Sequence, residues 1–309
     1  MVLESLGIDE SVSVLFPPER LRDALQPSPV QIDIVDGSAD SVASYDGIVT
    51  FAHRAQYFDL DWVHSIVAGV DRFPTDRFRA EGVALTNSTG VHGDAIGETV
   101  AGYVLAFARR LHTHVGNQRR GTWVRPDWDE AWTVAGERAC VVGLGSLGRG
   151  IVDRLTGLGL DVDGVRRTPV PEPGVDTVYT PADLETAVSG AKFVALAVPL
   201  TEQTERLVDG DVFAAMREDA YLLNVSRGGV VDQDALVEAL EDGVIAGAAL
   251  DVFETEPLPE SSPLWGMDEV IVTPHAGSVS REYYRHVAAL VRENVTRIRN
   301  GDDLVNRIV

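Results

Sequence analysis

The first ninety residues alternate short apolar runs with polar stretches. SVSVLF (11–16), VQIDIV (30–35), DGIVTF (46–51), HSIVAG (64–69) and GVALTN (82–87) are short and rich in β-branched residues, and Gly, Asp or Asn bounds them. That pattern predicts strands. PERLRDAL (18–25) fits a helix between the first two. Residues 97–118 carry Val100, Val104, Leu105, Phe107, Ala108 and Leu111 at helical spacing, which predicts one long helix. GTWVRPDWDEAW (121–132) has no period and reads as an irregular arm. From Ala139 the rhythm restarts. ACVVGLG, DVDGVRR, KFVALAVPL, AYLLNVS, VIAGAALDV and EVIVTPH read as strands, and GRGIVDRLTGLG, PADLETAVSG and QDALVEALEDG as helices between them. The last segment, 281–301, places Val287, Leu290, Val291, Val295 and Ile298 on one stripe of a helix. Strands alternating with helices predict an α/β fold with parallel sheets.

Length and charge narrow the picture. A chain of 309 residues suits two domains better than one core. The expected division is residues 1–97 with 281–309 as a first α/β domain, interrupted by 98–280 as an inserted second one. Acidic residues number 48 against 26 basic, a formal net charge of −22, and Lys192 is the sole lysine. The acids are spread along the chain with no long block of like charge, as expected for a halophilic-type protein in a salt-rich cytosol. This balance argues against nucleic-acid or anionic-membrane partners, which need basic patches. The N-terminal residues form no signal peptide and no apolar run reaches the length of a membrane span, so the expected location is cytoplasmic. Cys140, the one cysteine, sits in an apolar strand and reads as a packed core thiol.

VVGLGSLGRG supplies Gly143-x-Gly145-x-x-Gly148 between a strand and an amphipathic helix. In that context the glycines give a tight turn, room for a pyrophosphate and close helix–strand packing. The helix N-terminus then offers free N–H groups to phosphate. A ribose-reading residue is expected about 20 residues on. Arg166 stands 23 residues beyond Gly143, with Arg167 beside it, and Asp163 falls too early, inside the strand. A carboxylate accepts from a ribose 2′-OH, whereas guanidinium welcomes a 2′-phosphate. NADP (as NADPH) is therefore favoured, with NAD the weaker alternative.

Three more motifs follow, each expected at the carboxyl end of a strand. Arg227 lies on the Gly-Gly turn of NVSRGGVVDQDAL, Glu254 and Glu256 precede Pro257, and His275 closes VIVTPH. With these motifs, AGVD (68–71), GETVAGYVLAFAR (97–109), Trp123 and VPLTEQT (198–204), the sequence resembles the D-isomer-specific 2-hydroxyacid dehydrogenase family over nearly its whole length. The resemblance implies a flavodoxin-like substrate domain, an inserted Rossmann cofactor domain and a homodimer. It implies a catalytic set of Arg227, Glu256 and His275. His275 would donate the proton to the substrate oxygen. Glu256 would fix its tautomer, with Glu254 the rival for that place. Arg227 would bind the substrate carboxylate. Substrate contacts are also expected from Ala68, Gly69 and Val70. Cofactor contacts are expected from Gly143, Gly145, Ser146, Leu147, Gly148, Arg166, Arg167, Val198, Pro199, Thr201, Val225, Ser226, Asp251 and Gly277, and no metal is expected.

The implied activity is reduction of 2-keto acids, branched or aromatic ones first, with glyoxylate or hydroxypyruvate as alternatives. A dinucleotide-sensing scaffold of the same fold is the non-enzymatic alternative. Glu256 disfavours a formate dehydrogenase, which carries glutamine there. The end of the chain at Val309 disfavours a phosphoglycerate dehydrogenase with a regulatory domain. His53 and Arg54 are either substrate-cleft linings or surface residues, and the remaining histidines read as surface or packing residues. Tyr57 and Trp265 are pocket walls or, more simply, core.

The charge reading has a direct test. Salt that screens a self-repelling surface should raise the melting temperature steadily between about 0.1 and 2 M KCl, where the Debye length drops to about 3 Å or less. A melting temperature insensitive to KCl would leave an ordinary acidic protein.

Overall fold

The structure, a computed structural model, describes residues 3–309, and the chain divides into two compact units, Met1–Val91 with Val279–Val309, and His92–Ser278. The cut expected after residue 97 falls inside a helix; the units part before it, at His92, and again after Ser278.

The first unit holds five parallel strands, β1 (Ser5–Asp9), β2 (Gln31–Val35), β3 (Gly47–Thr50), β4 (Trp62–Ser65) and β5 (Ala84–Asn87), in the order β2-β1-β3-β4-β5. This is the flavodoxin-like order. Helices α1 (Pro18–Ala24), α2 (Ala39–Val42) and α3 (Thr75–Glu81) connect strands, and α10 (Tyr283–Asn300) returns to the unit from the far end of the chain. The predicted stripe of α10 buries Val287, Val291, Val295 and Ile298 with Leu6, Ile8 and Leu21. Ile48, Val63, Phe78 and Leu85 fill a second cluster. The C-terminal residues add to edge strand β5, where Ile308 N–H donates to the Leu85 carbonyl at 2.8 Å.

The strand expected at 11–16 is not one. β1 lies just ahead of it, and the Asp9 carboxylate accepts the Ser11 N–H at 2.7 Å, which starts a 3-10 turn over Glu10–Val14. Val12 is buried there, but Val14 and Leu15 are exposed. Of the other four expected strands, β2, β3 and β5 form within their expected bounds, whereas β4 starts two residues ahead of the expected 64–69 and ends at Ser65.

His64, on β4, is fully buried in a chain of hydrogen bonds. Trp62 Nε1 donates to Thr86 Oγ1 (2.9 Å), Thr86 Oγ1 meets His64 Nδ1 (2.8 Å), His64 Nε2 meets Ser88 Oγ (3.1 Å), and Ser88 Oγ donates to the Ser65 carbonyl. With that last hydroxyl spent, Nε2 carries the proton and Nδ1 accepts from Thr86. A second ring proton has no acceptor waiting, and burial lowers the His64 pKa to about 3.

The second unit opens with α4 (Gly93–Ala108) and α5 (Leu111–Arg119). One continuous helix was expected here. It breaks at Arg109–Arg110, where Arg110 takes a φ of 55° and the Ala108 carbonyl accepts the N–H of Trp132 at 3.0 Å. That acceptor is the one a continuing helix would give to His112.

Seven parallel strands follow: β6 (Arg138–Val142), β7 (Asp161–Val165), β8 (Val178–Tyr179), β9 (Phe193–Leu196), β10 (Tyr221–Asn224), β11 (Gly247–Leu250) and β12 (Val270–Val272). Their order, β12-β11-β10-β9-β6-β7-β8, reverses direction between β6 and β9. Helices α6 (Ser146–Gly157), α7 (Leu184–Val188), α8 (Gly210–Ala215) and α9 (Gln233–Glu241) complete it. β8 is too short to show in the sequence. α8 has no counterpart among the expected helices; the Asp209 carboxylate caps it by accepting the Asp211 and Val212 N–H groups. Cys140 is fully buried, and burial pushes its thiol up to about 12, as suits a core residue. Lys192 is 8% exposed; its ammonium pairs with Asp219 at 2.7 Å and lies 4.7 Å from the Trp132 ring centre. Among the described residues no helix is long and apolar enough to cross a membrane.

His64 gives the first unit a pH dependence with a defined sign. An unfolded histidine takes a proton near pH 6.5, whereas the folded one resists it. The unfolded chain therefore binds more protons below that pH, and stability is lost as pH falls from about 6.5 toward the folded value. Wild type should lose more melting temperature between about pH 7.5 and 5 than His64→Gln does. Equal losses would show that the hydrogen-bonded histidine contributes nothing to the acid response.

Candidate active site

The expected cofactor residues of the second unit all fall at or just beyond the carboxyl ends of its strands. That edge, at the point where strand order reverses, is where open α/β sheets bind ligands. Gly143 follows β6 with a φ of 101°, and a Cβ there would lie 2.5 Å from the Ala197 carbonyl oxygen. A Cβ on Gly148 would lie 1.8 Å from the Gly143 carbonyl oxygen, so helix α6 can approach the strand only through glycine. Gly145 is different: no atom lies within 4 Å of the place its Cβ would take. No side chain caps the N-terminus of α6 at Ser146 and Leu147. An open glycine beside an uncapped helix N-terminus suits a pyrophosphate.

Arg166 follows β7. Its guanidinium meets Glu172 Oε2 at 3.0 Å, while Arg149 Nε meets Glu172 Oε1 at 2.9 Å. Arg167 makes no ion pair among the described residues. Asp163 points elsewhere, buried and paired with Arg138 at 3.0 Å. Val198, Pro199 and Thr201 follow β9, where Thr204 Oγ1 accepts the Thr201 N–H and donates to the Pro199 carbonyl. Val225 and Ser226 follow β10 and are buried; the Ser226 hydroxyl donates to Asn224 Oδ1 at 2.8 Å.

Asp251, at the end of β11, is 1% exposed, and its carboxylate holds the whole turn after β12. Oδ1 accepts from Thr273 Oγ1 (2.6 Å) and the Ala276 N–H (2.9 Å), and Oδ2 accepts the Gly277 N–H (2.8 Å). The Asp251 carbonyl also takes the His275 N–H at 2.8 Å. Asp251 and Gly277 were both expected to touch the cofactor; here the first builds the turn that carries the second. Tyr103, from α4, reaches Thr273 Oγ1 at 2.6 Å, and burial raises its phenol to about 12, so it stays a neutral partner.

His275 sits on that turn with a φ of 51°. A left-handed conformation costs a non-glycine residue about 1–2 kcal/mol, and such outliers gather at functional sites. Its Nδ1 lies 2.8 Å from Glu256 Oε2, and the other oxygen, Oε1, accepts the Phe253 N–H at 3.1 Å. The carboxylate is thus held on one side by backbone and directs the ring with the other. Both side chains remain open to solvent, 50% for His275 and 37% for Glu256. Glu254, the rival, makes no such contact with the ring; it is exposed.

Arg227 lies on the turn after β10, which Asn224 staples by donating from Nδ2 to the Arg227 carbonyl at 3.1 Å. Its guanidinium donates to the Ser226 carbonyl and is otherwise exposed. A Cβ on Gly228 would fall 1.8 Å from the Phe253 carbonyl carbon, so only glycine lets the Arg227 turn abut the Phe253–Glu256 segment. Arg227, Glu256 and His275 thereby line one groove of about 510 Å³, together with Leu200, Arg206 and Phe253.

Arg206 was not anticipated. It too has a positive φ, 49°, which no sequence pattern betrays, and its side chain reaches Asp232 at 3.3 Å. Asn224, Thr273 and Tyr103 were also missed, because they act on backbone or on other side chains rather than on a ligand. Ala68, Gly69 and Val70 belong to the first unit, on the loop after β4, where Asn87 Nδ2 donates to the Ala68 carbonyl. In the same unit His53 packs against Phe58 and Phe78, and Arg54 pairs with the fully buried Asp9 at 3.2 Å. Tyr57, also fully buried, is core and donates its hydroxyl to Asp9. Trp265 is 55% exposed and donates to the Pro259 carbonyl.

Residues 101–277 match the family model for the NAD binding domain of D-isomer specific 2-hydroxyacid dehydrogenases. A glyoxylate reductase of Korarchaeum cryptofilum is 35% identical over 80% of this chain and 76% of its own length. Glyoxylate/hydroxypyruvate reductase B of Escherichia fergusonii is 31% identical over 87% of this chain and 86% of its own. The crystal structure of a D-isomer specific 2-hydroxyacid dehydrogenase from Xanthobacter autotrophicus Py2, in complex with NADPH and MES, superposes with a TM-score of 0.82 at 32% identity, covering 100% of this chain and 98% of that one. A sequence match across the nucleotide-binding unit, a fold match across both units and a groove that gathers an arginine with a paired histidine and glutamate lead to one conclusion: the chain belongs to the D-isomer specific 2-hydroxyacid dehydrogenase family.

Proposed function

We propose that this chain reduces 2-keto acids to D-2-hydroxy acids with NADPH, using His275 as proton donor, Glu256 as its partner and Arg227 as the substrate anchor. The observation that carries the reading is the 2.8 Å His275–Glu256 contact in a groove shared with Arg227. The His275 Nδ1 proton is held by Glu256, which leaves Nε2 to give its proton to the substrate oxygen. The Glu256 carboxylate orients the ring and stabilises the imidazolium before the transfer. Arg227, with most of its donors unspent, binds a carboxylate in two-pronged fashion and polarises the neighbouring carbonyl. Nicotinamide, when bound, supplies the hydride for C2. In the oxidising direction His275 receives the proton.

The first unit is read as the substrate domain, with Ala68, Gly69 and Val70 as its substrate-contacting residues. The remaining cofactor contacts are those at the strand ends. NADPH rather than NADH is favoured by Arg166 and Arg167, where a carboxylate would suit a free ribose hydroxyl. A homodimer in the cytoplasm accompanies this reading. The second reading is a glyoxylate/hydroxypyruvate reductase, favoured by the names that the Korarchaeum and Escherichia relatives carry.

Initial rates with a panel of 2-keto acids, glyoxylate and hydroxypyruvate included, should show turnover with NADPH and rank the substrates. His275→Ala should lower kcat by about two to four orders of magnitude, the range of general acid–base catalysis, while still binding NADPH. Binding without turnover in the wild type would leave a nucleotide-sensing scaffold. Arg166→Asp should invert the kcat/KM preference between NADPH and NADH; an unchanged ratio would make both arginines ordinary surface charge.

A further inference from the structure

Glu172 is a carboxylate with two guanidiniums on it. Oε1 lies 2.9 Å from Arg149 Nε, and Oε2 accepts from Arg149 Nη2 at 3.2 Å and from Arg166 Nη1 at 3.0 Å. Its side chain is only 11% exposed, against 58% for Arg149 and 26% for Arg166. The carboxylate comes from the proline-rich segment between β7 and β8, and that segment is fixed in place. Val175 N–H donates to the Glu172 carbonyl at 3.1 Å. Gly174, with a φ of 78°, lies so close to α6 that a Cβ would stand 3.0 Å from Val152 Cγ1 and 3.5 Å from Thr156 Cγ2. Arg149, Val152 and Thr156 are spaced three and four apart and share one face of α6. The segment therefore runs along that face, and Glu172 is delivered to the helix's first turn rather than left to wander.

The cluster is unusual in its arithmetic of charge. A single carboxylate leaves two guanidiniums with one positive charge in excess, and both of its oxygens lie against guanidinium N–H groups. Each guanidinium has five N–H donors, and most remain uncommitted. Two arginines joined at one fixed carboxylate lose less side-chain freedom on meeting an anion than two independent ones.

We propose that Glu172 is a positioning residue that ties Arg149 to Arg166, so that the cofactor's 2′-phosphate is read by the pair and Arg149 is a specificity-determining residue alongside Arg166. This rests on the NADPH reading above.

The test is nucleotide binding without turnover. Dissociation constants for 2′,5′-ADP and 5′-AMP, measured by calorimetry, isolate the 2′-phosphate from the rest of the cofactor. Wild type should bind 2′,5′-ADP more tightly. Arg149→Met keeps the aliphatic stem and should weaken 2′,5′-ADP about tenfold, the size of one charge-assisted contact, while leaving 5′-AMP unchanged. Glu172→Gln should weaken 2′,5′-ADP several-fold, and by less than that in an Arg149→Met background, where only the contact with Arg166 remains to be lost. A Glu172→Gln variant that binds 2′,5′-ADP as well as or better than wild type would overturn the positioning role, as would Arg149→Met weakening both nucleotides equally. If wild type itself fails to discriminate, the NADPH reading falls; if wild type discriminates and Arg149→Met does so equally, only the present inference falls.

Discussion

The groove depends on a buried carboxylate that is not part of its lining. Asp251 gathers Thr273, Ala276 and Gly277 around its two oxygens and takes the His275 N–H on its backbone. A buried carboxylate without donors would be costly, so the turn after β12 and Asp251 require each other. Their joint geometry holds His275 in a conformation that an isolated histidine would leave. The strain is thus carried by hydrogen bonds one step removed from the groove, and the imidazole is fixed before any ligand arrives.

The same division recurs around the groove. Asn224 holds the backbone of the Arg227 turn, and the Phe253 N–H holds one oxygen of Glu256. Each outward-facing side chain is thereby aimed by a polar group that is buried or drawn from the backbone. The parallel sheet makes this economical. Its strands end along one edge, so that short turns after β10, β11 and β12 bring residues distant in sequence to a common place.

Three side chains that line the groove were legible in the sequence through the motifs that carry the family resemblance: Arg227 on a Gly-Gly turn, Glu256 before Pro257, His275 after an apolar strand. The supporting residues were not. Thr273 and Tyr103 matter through partners up to 170 positions away, and nothing local marks them. Secondary structure failed for the same reason. The helix through residues 97–118 has an unbroken period, yet a carbonyl taken by Trp132 ends it at Ala108. The SVSVLF run has strand composition, yet the Asp9 side chain turns it aside. In both cases a single hydrogen bond from outside the pattern outweighed the pattern.

The lone lysine has a consequence for how this protein can be altered after synthesis. Lys192 is nearly enclosed, its ammonium committed to Asp219 and set over the Trp132 ring. Positive charge elsewhere on the surface is carried by guanidinium, which does not take an acyl group as an amine does. Acetylation, ubiquitin attachment and glycation at lysine are thereby confined to one sheltered amine. Any regulation that works by modifying exposed lysines has almost nothing on this surface to act upon.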